Sequence, residues 1–90
     1  MIDLTTVCWK KDRITERFVR EHEAQLRRPS KMKPIELANA CTYCDTIDNP
    51  YAEAITKRAG NVEAFRNATN ARDKRKALDN AAKAFGMRLF

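Results

Sequence analysis

Between Asn61 and Phe85 the apolar residues change sides. At about 100° per residue, Val62, Phe65, Ala68 and Thr69 share one side of a helical wheel, whereas Leu78, Ala81, Ala82 and Phe85 fall roughly 200° away. One straight helix would have to bury opposite faces at its two ends. The sequence therefore predicts two short helices that break near Asn70, with Asp73 as the N-cap of the second, because Asn and Asp side chains bond local backbone at turns and helix starts. The break lacks Gly and Pro, and Ala, Lys and Arg all favour helix, so one continuous helix over 61–85 is the alternative. Gly60 and Gly86, the only glycines in the chain, flank the stretch as stop signals.

The rest of the chain reads as helical too. Asp12 to Arg28 places Ile14, Phe18, His22 and Leu26 on one face, with Glu16 before Arg20 and Glu23 before Arg27 as acid-then-base pairs at i, i+4. Pro29 stops that helix, and Pro34 opens one to Cys44 whose buried stripe is Leu37, Ala38, Cys41 and Cys44. Asn49 and Pro50 form an N-cap and first-turn pair ahead of a helix over Tyr51 to Ala59. Met1 to Trp9 has strand-like composition but no second strand to pair with, so it is expected to be helical or irregular. Met87, Leu89 and Phe90 are apolar for a chain end and are expected to pack. The expectation is an all-α, compact bundle of four to five short helices in a single small domain, residues 1–90.

Charge is unevenly spread. The chain carries 18 basic and 12 acidic residues; residues 51–90 hold nine basic and four acidic, while residues 1–30 hold seven and five. The excess gathers at Arg72, Lys74, Arg75 and Lys76, which the predicted elbow would carry, with Arg66 and Lys83 extending it in both directions. Such a cluster can be a solvated helix end that keeps the protein soluble, or a surface for phosphate or an acidic partner. No apolar run approaches the length of a membrane span and no leader pattern is present, so an intracellular, cytoplasmic protein without membrane association is expected. An odd number of cysteines fits reduced thiols.

Motifs for chemistry are weak. Cys41 and Cys44 have the spacing of zinc ligands, and Cys8 and His22 could complete four, but the second pair is widely separated and two thiols at i, i+3 on an apolar stripe are ordinary core residues. Neither a metal nor a cofactor is expected. His22 lies on an apolar helix face with no nucleophile or carboxylate beside it, and no phosphate-cradling glycine loop or nucleophile elbow exists, so the chain does not read as an enzyme. Ala54 to Phe65 (AITKRAGNVEAF) resembles in part the helix-turn-helix of DNA readers: Ile55, Ala59 and Gly60 match, while Asn61 and Arg66 stand where apolar residues are usual. The resemblance implies a second helix turning Glu63, Arg66, Asn67 and Asn70 toward base edges.

The leading expectation is a non-catalytic binding module acting on nucleic acid, or on a nucleic-acid-processing protein complex, through Arg66, Arg72, Lys74, Arg75, Lys76 and Lys83. The alternative is an inhibitor or adaptor that docks on an acidic surface of a partner enzyme, in the manner of small accessory proteins of mobile elements. Oligomeric state is not readable from the sequence.

Overall fold

The Asp12 carboxylate accepts the Thr15 N–H at 2.7 Å and so starts the first α-helix, α1 (Arg13–Glu21). The computed structural model describes residues 1–87. After α1 come α2 (Glu23–Leu26), a 3-10 turn over Pro29–Lys31, α3 (Pro34–Thr42), α4 (Pro50–Ala59), α5 (Val62–Asn67) and α6 (Ala71–Ala84). The fold is all-α, as the sequence predicts. Ahead of α1 lie a 3-10 turn over Leu4–Thr6 and a single antiparallel bridge between Trp9 and Cys44. Among the described residues no helix is long and apolar enough to cross a membrane.

Among the described residues the α-helices number six, because Asp12 to Arg28 is not one element. His22, at φ −119° and ψ 22°, leaves helical geometry and separates α1 from α2. An unbroken helix could not bury Ile14 and Leu26 together, since each four-residue step advances the wheel by about 40°. The break re-registers the chain, so that Leu26 is fully buried while Ile14 stays 71% exposed. Thr15, between the half-buried Phe18 and Val19, marks the buried face of α1 instead. The ion pairs shift with it: Glu23 holds Arg27 at 2.9 Å as expected, but Glu16 does not hold Arg20, and Arg17 pairs with Glu21 at 2.9 Å.

α4 is the hub of the core. Asn49 caps it, its Oδ1 accepting from the Tyr51 N–H (3.1 Å) and the Ala52 N–H (2.8 Å), and Pro50 takes the first helical position. Tyr51, Ala52, Ile55 and Thr56 are completely buried, and α3, α5 and α6 pack around them. Arg58 Nη2 donates to the Ser30 carbonyl at 2.6 Å, fastening the Pro29–Lys31 turn to the same helix. Of the predicted α3 stripe, Leu37 and Ala38 are buried within the helix, Cys41 is half-buried, and Cys44 is buried just beyond the end of the helix.

Both glycines terminate helices with φ near +80°, a region closed to most side chains. At Gly60 (φ 81°) the Gly60 N–H donates to Lys57 O (3.2 Å) and the Asn61 N–H to Thr56 O (3.0 Å). At Gly86 (φ 74°) the corresponding bonds run from Gly86 to Lys83 O (2.9 Å) and from Met87 to Ala82 O (2.9 Å). Each pair satisfies carbonyls that a helix end otherwise leaves open. Met87 thereby folds back onto the core, as expected for it; Leu89 and Phe90 lie outside the described residues.

A Cβ at Gly60 would meet no atom within 4 Å, so the cost of a side chain there is backbone strain alone. Gly60→Ala is expected to destabilise the protein by about 1 kcal/mol in chemical denaturation. Unchanged stability would mean that the left-handed stop does not hold α4 and α5 in place.

Candidate functional site

The predicted break sits where the wheel requires it, with a different cap. Ala68 is extended (φ −64°, ψ 131°), and Asn70, not Asp73, is the N-cap of α6: its Oδ1 accepts the Asp73 N–H at 2.9 Å. Asp73 is three residues inside and accepts a bond from Asn70 Nδ2 at 3.1 Å. Asn sits at the cap because its side chain can offer both a donor and an acceptor to this turn. The basic cluster therefore lies not on the elbow but in the first two turns of α6.

That placement sorts the six candidate cations. Ala77, Leu78, Ala81 and Ala82 are buried and fix the inner face of α6. Arg72, Arg75, Lys76 and Lys83 fall on the opposite side within an arc of about 100° and are exposed. Asp79 shares this arc and holds Lys83 at 3.1 Å. Lys74 points the other way. Its side chain is only 17% exposed; its ammonium contacts Asp48 Oδ1 at 2.9 Å, donates to the Phe65 carbonyl at 3.3 Å, and sits 4.7 Å from the Phe65 ring centroid. Lys74 thus fastens α6 to α5 and to the loop before α4. Arg66 turns back onto Glu53, with Nε 3.0 Å from Oε1 and Nη2 in a second bond to the same oxygen. The structure brings together a row of Arg72, Arg75 and Lys76, continued by a neutralised Lys83, and separates Arg66 and Lys74 from it.

The helix-turn-helix resemblance has a structural counterpart in α4, Gly60 and α5, but α5 spans only six residues. Arg66 is held by Glu53, Asn70 caps α6, and Asn61 donates from Nδ2 to the Ala77 carbonyl at 2.8 Å. Of the four side chains the resemblance would aim at bases, Arg66 and Asn70 are thus engaged within the protein.

Beside the row a cleft of about 340 Å³ opens between α6 and the α3–α4 connection, lined by Lys10, Cys41, Asp45, Asn49, Arg75 and Leu78. Two backbone bonds set Lys10 there: its N–H to Tyr43 O (2.9 Å) and Asp45 N–H to Cys8 O (2.7 Å). Lys10 does not stand out in the sequence, being far from α6 along the chain. A shorter charge window would have flagged it, since residues 10–20 contain five basic and two acidic side chains.

Cys41, Cys44 and the histidine serve packing. Cys41 Sγ donates to Asn49 Oδ1 at 3.7 Å and Cys44 Sγ to the Ala40 carbonyl at 3.4 Å, while Cys8 is exposed. Burial raises the Cys41 thiol far above its ordinary range, and burial, with the neighbouring Cys8 second, pushes Cys44 up to about 12. Burial thus favours the protonated form of both thiols and disfavours a free thiolate nucleophile. Among the described residues no group of three or more His, Cys, Asp or Glu side chains could hold a metal ion. His22 Nδ1 bonds the Phe18 carbonyl at 2.9 Å, and its ring lies on Phe18 (4.6 Å), which stacks on Tyr43 (4.1 Å).

Comparison with known protein families, curated proteins and solved structures gives no match.

Thiol reactivity and pH dependence follow from the burial. In the native protein a colorimetric thiol reagent should react fast with one thiol per chain, Cys8, and slowly with two. An unfolded chain loses its thiol protons above about 8.5, whereas folded Cys44 keeps its proton to about 12. The unfolded state then binds fewer protons, so stability should fall as pH rises through that window. Cys44→Ala should flatten the fall. Three equally fast thiols would contradict the packing role.

Proposed function

We propose that the protein is a non-catalytic binding module whose exposed α6 row, Arg72, Arg75 and Lys76, engages the phosphate backbone of a nucleic acid, free or within a nucleic-acid-bound protein assembly. The row itself carries this reading. Arg72 sits in the first turn of α6, where the helix dipole disfavours a cation and anions are favoured, so the arrangement adds little to the fold. Arg72 and Lys76 make no ion pair among the described residues. Exposed guanidinium and ammonium groups spaced one helical turn apart can each approach a separate phosphate oxygen, with Arg able to do so through two parallel bonds.

The six candidates divide into two roles on this reading. Arg72, Arg75 and Lys76 contact the ligand, and Lys83 does so once released from Asp79. Arg66 and Lys74 support the surface through Glu53, Asp48 and Phe65.

Binding of a labelled DNA duplex, measured over a range of salt concentrations, tests this assignment. Replacing Arg72, Arg75 and Lys76 together by Gln should weaken binding and lower the log–log salt slope by about 2 to 3, at about 0.9 per lost phosphate contact. Lys74→Gln should lower the melting temperature instead. Unchanged affinity and slope in the triple variant would leave the row as a solvated face, and tight binding to an acidic protein in the absence of nucleic acid would favour the adaptor alternative.

A further inference from the structure

The chain carries a second set of cations, of which the sequence pattern pairs Arg20 with Glu16 and the structure leaves that pair unmade. Lys10 stands at a junction: it lines the cleft beside Arg75 and also a second hollow of about 360 Å³ against α1, lined with it by Trp9, Thr15, Glu16, Val19 and Arg20. One side chain thus links the α6 row to α1. On α1 the outward arc, opposite Thr15, holds Arg13, Arg17 and Arg20, spaced by about one turn each. Arg17 is closed by Glu21, a pair in which both side chains are more than half exposed and which therefore contributes little. Lys10, Arg13 and Arg20 make no ion pair among the described residues. Arg13, like Arg72, occupies the first turn of its helix against the dipole.

Three acids temper this surface, and one of them, Asp45, lines the first cleft with Lys10 and Arg75. Glu16 and Glu23 also border the second hollow, but Glu23 is engaged by Arg27 at 2.9 Å. The balance over residues 10–20 is still three positive charges, equal to that of residues 71–76.

We infer that Lys10, Arg13 and Arg20 form a second phosphate-contacting row, continuous with the α6 row through Lys10, and that the ligand gripped by the two is a duplex. This rests on the nucleic-acid reading above. The choice of a duplex comes from the aromatic residues. Proteins that hold single strands offer side chains on which unpaired bases stack. Here Trp9 is tilted against Tyr51 at 5.5 Å with its Nε1 donating to the Leu4 carbonyl, and Phe18 is sandwiched with His22 and Tyr43. Phe85, exposed at 38%, follows the end of α6 on the side away from the cationic row. Among the described residues the band thus presents charge, while the Trp9 ring that borders it is held against Tyr51, which suits contacts to a paired backbone. The longest dimension of the molecule is 31 Å, so one face covers at most about nine base pairs at 3.4 Å each.

Fluorescence anisotropy with a duplex of about twelve base pairs and with its separated strand tests this, the length exceeding the footprint estimated above from the 3.4 Å rise. The combined variant Lys10→Gln, Arg13→Gln, Arg20→Gln, all at exposed positions, should keep the melting temperature. It should weaken duplex binding on the order of tenfold or more at low salt and lower the salt slope by about 2 to 3. Arg20→Gln alone should lower the slope by about one. If these variants bind like the unaltered protein while the α6 triple variant is weakened, the second row is refuted and the α6 reading stands. If the unaltered protein shows no salt-dependent binding to the duplex, the nucleic-acid reading fails and this inference with it. A separated strand bound as tightly as the duplex would refute the duplex assignment.

Discussion

The buried phenol of Tyr51 donates to the Leu26 carbonyl at 2.7 Å across 25 residues of sequence and ties the end of α2 to α4, the helix against which α3, α5 and α6 pack. Leu26 ends α2, where a helix leaves carbonyls without intrahelical partners. Tyr51 starts α4 and has no exposed surface. One hydrogen bond therefore satisfies an otherwise open helix end and anchors the N-terminal third of the chain to the hub. Burial, with Cys44 nearby, raises the Tyr51 hydroxyl above its ordinary range, which keeps it a donor. Trp9 against the Tyr51 ring extends the same anchor to the segment that carries Lys10.

From that hub the direction of α6 follows by size. Ala77, Ala81 and Ala82 on α6 are small, buried side chains that let a packed helix approach closely, and α6 packs against α4. Once this face is fixed inward, Arg72, Arg75 and Lys76 have nowhere to go but outward. Lys74 is the exception, and it shows how the same residue type can serve a different purpose. One position along the helix turns its ammonium onto a carboxylate, a carbonyl and an aromatic face. A cluster that reads as uniform in sequence thus combines outward cations with a fastening that holds α6 in place.

Local signals were legible because they act over a few residues. Asn49 with Pro50, Gly60, Gly86 and the change of apolar side near Asn70 each involve one turn of backbone, and all appear where the sequence puts them. The identity of the α6 cap was not legible, since Asn70 and Asp73 are both good caps and only the extended Ala68 decides between them. The break at His22 was hidden for a different reason: helix spacing at i, i+4 looks periodic over two steps and drifts off face over three. Pairings such as Arg66 with Glu53, and the approach of Lys10 to Arg75, join residues 13 and 65 positions apart and exist only once α4 has been packed. They decide which cations remain on the surface, so the candidate site could be outlined from sequence but not apportioned.

On the proposed reading, Arg72 and Lys76 serve a ligand and not the fold. Thermal unfolding of the double variant Arg72→Gln, Lys76→Gln, at low and at high salt, tests this most directly. If it holds, removing a cation from the first turn and relieving repulsion along the row leaves the melting temperature equal or higher at low salt, with the difference shrinking as salt screens the charges. A melting temperature that falls in the double variant, at both salt concentrations, would show that these side chains hold the structure together and would contradict the proposal.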